Sequence, residues 1–314
     1  MRFVLLLLLI WPNLVFSADI YKIYLSATGD DNNDGLSNVS AIITLNRAQQ
    51  ILKINNPNTA VEIHIKQGLY LNQSVNWTYT NGHLITFTPI NFSKARPVFD
   101  GNAKLNTWFT FKNTSGAPSH LKFRYIKVQN YNTGMSFQGN RNSVKKWNSD
   151  NELYGMYFYN IGGLYSDFDY STAALRFVNS KNNSIVNSHF VNILNQPTKS
   201  AFIHAIYFAH YSSNNEVRGN RFQMINGDPI RTRDESNYNL ILGNIFFKTG
   251  FSAYYSDWYC SAETTNKICT KKTGECPSVG FEFKNNNLFG GYKSDLENIK
   301  QFGVDDYCVV TQNS

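Results

Sequence analysis

The sequence predicts an all-β chain: a right-handed parallel β-helix solenoid closed at its N-terminal end by a short capping helix. Three observations carry this. First, a short motif recurs at a fixed step. Ala205-Ile206-Tyr207-Phe208, Pro229-Ile230-Arg231-Thr232 and Ala253-Tyr254-Tyr255-Ser256 lie 24 residues apart, and a fainter copy, Ala174-Leu175-Arg176-Phe177, lies 31 residues before the first. A period of this size marks a stack of repeated units. Second, another series runs in register with it. Asn220-Arg221-Phe222 and Asn244-Ile245-Phe246 are 24 apart, with Ser188-His189-Phe190 before them and Asn287-Leu288-Phe289 after. Gln129-Asn130-Tyr131 and Tyr159-Asn160-Ile161 read as earlier coils. Third, the units are short and rich in Ile, Val, Phe and Tyr, with Asn, Gly, Ser and Asp between them, as in Asn226-Gly227-Asp228. That is strand and turn chemistry. A 24-residue unit is too short for two helices and two turns, and the consensus of leucine-rich repeats is absent. Coils with two or three short strands, stacked ~4.8 Å apart, satisfy all three observations. Crossover chirality favours the right-handed form. Stacked Phe then fills the interior, and stacked Asn forms amide ladders at turns.

Taken in order, residues 1–17 read as a secretory signal. Arg2 is the positive start, Phe3 to Ile10 the apolar run, and Val15-Phe16-Ser17 the cleavage region. The run is too short to span a bilayer, and no later segment is apolar enough for a membrane helix. Residues 18–314 are expected to form one β-helix domain. Ile23-Tyr24-Leu25 is its first strand, followed by a polar loop from Ser26 to Ser37. Thr44 to Leu52 reads as an amphipathic helix with Thr44 as N-cap and Leu45, Ala48, Ile51 and Leu52 on one face. Val61 to Ile65 alternates as a strand, and Pro97-Val98-Phe99-Asp100-Gly101 closes another coil.

This opening of strand, Asp/Asn-Gly loop and short helix resembles the N-terminus of secreted right-handed parallel β-helix proteins of the pectin-lyase-like superfamily. The resemblance extends from about Ile23 to Phe289. It implies the fold, with the helix covering an open strand edge. It leaves the activity open among lyases, hydrolases, epimerases and binding proteins. The chain departs from the usual cap at Ala41-Ile42-Ile43. Asp30, Asn32, Asp34 and Gly35 match the start of a Ca²⁺ loop, but the twelfth position is Ala41 rather than Glu. A turn rich in Asx residues is the preferred reading over a Ca²⁺ site, and no other cofactor is indicated.

Cys260, Cys269, Cys276 and Cys308 all fall late. Outside the cytosol they are expected to form two disulfides, in any of three pairings, stapling a loop at about 258–282. Their spacing contains no Cys-x-x-Cys pair, which argues against zinc. The formal charge is +7. Removal of Arg2 with the signal leaves +7 − 1 = +6. A secreted or periplasmic protein with this charge suits an acidic polysaccharide; nucleic acid has no motif support, and a monomer is expected.

Aligning the repeats assigns faces. Leu175, Ile206, Ile230 and Tyr254 form one inward column, with Phe177, Phe208, Thr232 and Ser256 two residues on. Arg176, Tyr207, Arg231 and Tyr255 alternate with them and face outward. Val178, Ala209, Arg233 and Asp257 form the next outward column, flanked by His210, Asp234 and Trp258, with His204 and Asp228 at the leading edge. Loops at Tyr165 to Thr172 and Cys260 to Gly280 are expected to wall this face into a groove. Each residue also has a structural explanation, since charged columns often form exposed ion-pair ladders of little energetic weight. Together the cluster suggests a polysaccharide lyase. Arg231 or Arg233 would neutralise a uronate carboxylate, and Tyr207, His204, His210 or an Arg would move the proton. Arg176, Asp228, Arg233, Asp234, Tyr255, Asp257 and Trp258 would bind substrate. A glycoside hydrolase would instead use two of Asp228, Asp234 and Asp257. A C5-epimerase would share the lyase residues, and a glycan-binding surface protein would need no acid and base.

Overall fold

The repeats coil into a stack in which every turn lays a strand beneath its predecessor. The computed structural model describes residues 19–93, 95–260, 274–302 and 308. The signal segment expected at 1–17 and Cys269 lie outside them. The paired strands run parallel, in sheets of nine, eight and eight strands, with a fourth sheet of three. This is the expected all-β parallel β-helix. Among the described residues no helix is long and apolar enough to cross a membrane.

The first strand, β1 (Tyr21–Leu25), pairs with Val61–Ile65. The capping helix α1 spans Leu45–Asn55. Thr44 caps it by accepting the Arg47 N–H, and Asn56 ends it in the left-handed region at φ 38°. Asp31 fixes the entry by accepting from the Ile43 and Thr44 N–H groups and the Thr44 hydroxyl. Leu45, Ala48, Ile51 and Leu52 are buried and join a core that includes Ile23, Val75 and Trp77, so the helix seals the open end of the coil stack. In the preceding loop Asp30 accepts from the Asn32 N–H and Asp34 from the Leu36 N–H and the Ser40 hydroxyl. These are local Asx turns, as the composition suggested.

The interior is built of columns. Phe158, Phe190, Phe222 and Phe246 stack with successive ring centroids 5.0, 5.1 and 4.7 Å apart. Each ring buries its faces against the rungs above and below, which couples the coils through dispersion as well as backbone hydrogen bonds. Asn151, Asn183, Asn215 and Asn239 form a buried amide ladder, each Nδ2 donating to the next Oδ1 at 2.7–2.9 Å. Asn220, Asn244 and Asn286 form a second. The second ladder ends one residue earlier than expected. Asn286 and Leu288 take the places assigned to Asn287 and Phe289, and Phe289 is exposed. The preceding insertion lengthens this coil to 42 residues, from Ile245 to Asn287, and the run Asn285-Asn286-Asn287 hides the register.

The strands that carry the predicted site are β2 (Ala173–Val178), β3 (His204–Ala209), β4 (Ile230–Arg233), β5 (Ala253–Trp258) and β6 (Glu297–Phe302). Leu175 pairs with Ile206 and Ile206 with Ile230, as expected. The next step is 25 residues, not 24: Ile230 pairs with Tyr255, Arg231 with Ser256 and Thr232 with Asp257. A shift of one residue exchanges the two faces of a strand. Tyr255 and Asp257 are therefore buried on the interior side rather than facing outward as expected. The cause is a turn one residue longer, organised by Asp228. Its Oδ1 accepts the N–H groups of Phe251, Ser252 and Ala253. Farther on, Cys276 and Cys308 are joined in a disulfide, and Cys260 is also disulfide-bonded.

Candidate active site

Two adjoining cavities lie on the outer face of β2 to β6. The first, about 390 Å³, is lined by His204, Tyr207, Arg231, Arg233, Trp258 and Phe302, with Phe202 and Phe251 at its sides. The second, about 500 Å³, is lined by Lys112, Gln138, Arg141, Arg176, His210 and again Tyr207 and Arg233. Tyr207 and Arg233 thus stand on the ridge between them. Strand register puts them there. Arg176, Tyr207 and Arg231 occupy matching places on three successive rungs, and Arg233 is the partner of Ala209.

The first cavity has a rigid floor. Arg231 donates through Nη2 to Asp228 at 2.8 Å and through Nε to Ser256 Oγ at 3.0 Å, and its guanidinium lies over the Phe302 ring. Burial alone would raise the Asp228 carboxyl. Arg231 and the N–H groups of Ser252 and Ala253 outweigh it and hold the group below the usual carboxylate range. Asp228 therefore holds the guanidinium and the next turn. His204 is buried, with Nδ1 2.6 Å from the Asp228 backbone carbonyl. A carbonyl only accepts, so Nδ1 carries the proton and Nε2 is the basic nitrogen. Burial first, then the Arg231 charge, push the His204 pKa down to about 3, so the ring is neutral at ordinary pH. Its centroid lies 5.4 Å from that of Tyr207.

On the ridge, Arg233 Nη1 donates to the Tyr207 hydroxyl at 3.4 Å. The same guanidinium forks onto Glu275, with contacts of 2.6 and 2.8 Å, and lies 4.5 Å above the Trp258 ring. Burial would lower the Arg233 pKa, but Glu275 more than offsets this and keeps it firmly charged. His210 Nδ1 lies 2.8 Å from Asp234 and 3.8 Å from Glu275. The ligand atoms of His210, Asp234 and Glu275 fall within 4.8 Å of one another, spacing a metal ion can use. Here Arg233 occupies both Glu275 oxygens and Asp234 accepts from His210, so the hydrogen bonds account for the trio without an ion.

The predicted residues thus divide. Tyr207, His204, Arg231, Arg233 and Trp258 share the first cavity, while Arg176 and His210 line the second. Asp228 and Asp234 are buried and serve Arg231 and His210. Asp257 is turned inside, where it accepts from Thr232 and the Ser278 N–H. Tyr255 bonds the Thr232 hydroxyl in the core. Sequence reasoning missed Glu275, Phe251 and Phe302. Glu275 precedes Cys276 in the inserted loop, which the repeat alignment does not reach.

No protein-family model matches this chain, and no curated protein matches it in sequence. Solved structures do. A rhamnogalacturonan lyase superposes over 89% of this chain with TM-score 0.55 at 14% identity. A lacto-N-biosidase from Eubacterium ramulus superposes over 86% with TM-score 0.46 at 10% identity, and a pectate lyase over 86% with TM-score 0.49 at 11% identity. The chain spans 65%, 56% and 80% of their respective lengths. At this identity the likeness concerns the fold alone, a parallel β-helix.

Proposed function

We propose that this is a secreted polysaccharide lyase that cleaves an acidic, uronate-containing polysaccharide by β-elimination. The observation that carries the proposal is the state of the acids. Asp228, Asp234 and Glu275 on this face each already hold a cation or a His, and Asp257 is enclosed in the coil. A hydrolase needs one carboxyl to donate a proton and a second to act as base or nucleophile across the scissile bond. Among the described residues that line the first cavity, this leaves cations, a phenol and a neutral imidazole, which are the groups elimination needs. Fold likeness to a rhamnogalacturonan lyase adds that lyase chemistry occurs on this scaffold.

In this reading Arg231, fixed on two donors by Asp228 and Ser256, turns its remaining nitrogen toward the substrate carboxylate. Neutralising that carboxylate acidifies the neighbouring C5 hydrogen. Tyr207 takes the C5 proton as phenolate, stabilised by the Arg233 donor at 3.4 Å. The electron pair forms the C4–C5 double bond as the C4–O4 bond breaks, and Tyr207 returns the proton to the leaving oxygen. His204 stays neutral and accepts a substrate hydroxyl at Nε2. Trp258 and Phe302 offer apolar faces to a sugar ring.

The test is a panel of polyuronates followed by ultraviolet absorbance of the unsaturated uronate and by reducing ends. Absorbance rising with new ends supports the lyase. New ends without absorbance mean a hydrolase, C5 deuterium exchange without cleavage means an epimerase, and silence across the panel removes the proposal.

A further inference from the structure

Cations on the groove face are unequally matched. Arg231 and Arg233 each have an acid partner. Arg176, Lys112 and Arg141 line the second cavity, and none of them has an ion pair with an acid among the described residues. Among the described residues no Asp or Glu lines that cavity. Arg176 is partly buried and held by a neutral group, with Nε donating to Ser136 Oγ at 3.1 Å. A guanidinium drawn from water beside two more cations, without a counter-charge, is costly to hold in place. The cost is offset when an anion enters, and the planar Arg fork suits a carboxylate.

The position of Arg176 says which carboxylate. It pairs with Tyr207, which pairs with Arg231 on the other side, so the two arginines sit two rungs apart, about 10 Å. A pyranose with its linkage is comparable in length to one such rung, so sugars laid across the stack advance by one rung each. We infer that the second cavity is an anion subsite that takes the carboxylate of a further sugar on the same polymer chain, two units from the one held by Arg231. The inference rests on the acidic-glycan reading and sharpens it. The substrate class is a polymer with unesterified carboxylates close together, and a neutral or esterified sugar at this place is disfavoured.

Isothermal titration of the full mature chain, with every protein named below carried on a Tyr207→Phe background so that the oligomer is not cleaved, tests it independently of turnover. The probes are an unesterified uronate oligomer of six sugars and its methyl ester, about six units so that both cavities are filled at one sugar per rung. The proteins are wild type, Arg176→Gln, and Lys112→Gln with Arg141→Gln. The expected result is at least about tenfold weaker binding of the acid oligomer by Arg176→Gln, with ester binding within about twofold of wild type. Lys112 and Arg141 are exposed, so their double variant keeps its fold and is expected to weaken acid binding and flatten its salt dependence. Wild-type affinity for the acid oligomer in either variant, or equal losses for acid and ester, overturns the subsite. Discrimination by a protein with no lyase activity keeps the subsite and removes only the reaction. Elimination by a protein whose Arg176→Gln variant binds normally does the reverse.

Discussion

Tyr207 is the side chain on which the proposed chemistry turns, because it faces both cavities in reach of a charged donor and a neutral imidazole. Tyr207→Phe removes only the hydroxyl, and Arg231→Ala removes the carboxylate clamp. Each is expected to lower kcat by at least about a thousandfold with the melting temperature of the Tyr207 variant unchanged, as read by absorbance on the best polyuronate. His204 gives a separate test, on stability. Its folded pKa of about 3 lies below the ordinary histidine value of 6.5, so between these pH values the unfolded chain binds the extra proton. Stability from this residue is complete above pH ~6.5 and is lost as pH falls toward ~3, an effect on the order of 5 kcal/mol. Urea melts from pH 7 to pH 4 are expected to show a decline that His204→Gln reduces. Among the site residues, those on the regular 24-residue step were legible from sequence: Tyr207, Arg231 and Arg233 share the face that the alignment gave them. Tyr255 and Asp257 were misassigned because an extra turn residue leaves no mark in composition.

At the level of strands and turns, the corner between two of the sheets requires left-handed backbone on successive rungs. Asn130, Asn160 and Asn192 fill it at φ 56°, 53° and 56°, a conformation Asn tolerates well. Asn160 and Asn192 also donate along the column to the preceding Asn. Met224 and Lys248 continue the column at φ 55° and 50° with side chains that tolerate it less. Lys248→Asn is therefore expected to stabilise the protein by about 0.5–1 kcal/mol, measured by thermal unfolding. The Asn-x-Phe pattern exposed the fold in the sequence because it reports two physical needs at once, a ladder at a turn and a ring in the core. It failed at Asn287, where the inserted loop reset the count and three consecutive Asn offered three equally good registers. The capping helix was readable because Thr44 and the apolar spacing after it state both its start and its buried face.

Over the whole molecule, the groove face divides by charge. Arg231 and Arg233 are balanced by their acids, while Arg176, Lys112 and Arg141 at the second cavity have no acid partner among the described residues. Acidic polymer is thus expected to be drawn to one part of the groove, with KM rising several-fold between low and high salt while kcat changes little, as steady-state rates at varied ionic strength would show. The longer turn held by Asp228 has a consequence for how such a surface arises. In a solenoid, inner and outer identities are not properties of residues but of phase, and one inserted codon inverts the phase of a strand without altering a single side chain within it. Asp228 ties that inversion to the orientation of Arg231, since one carboxylate serves both. The end of the groove and the cation at its floor are in this way a single heritable unit, gained or lost together.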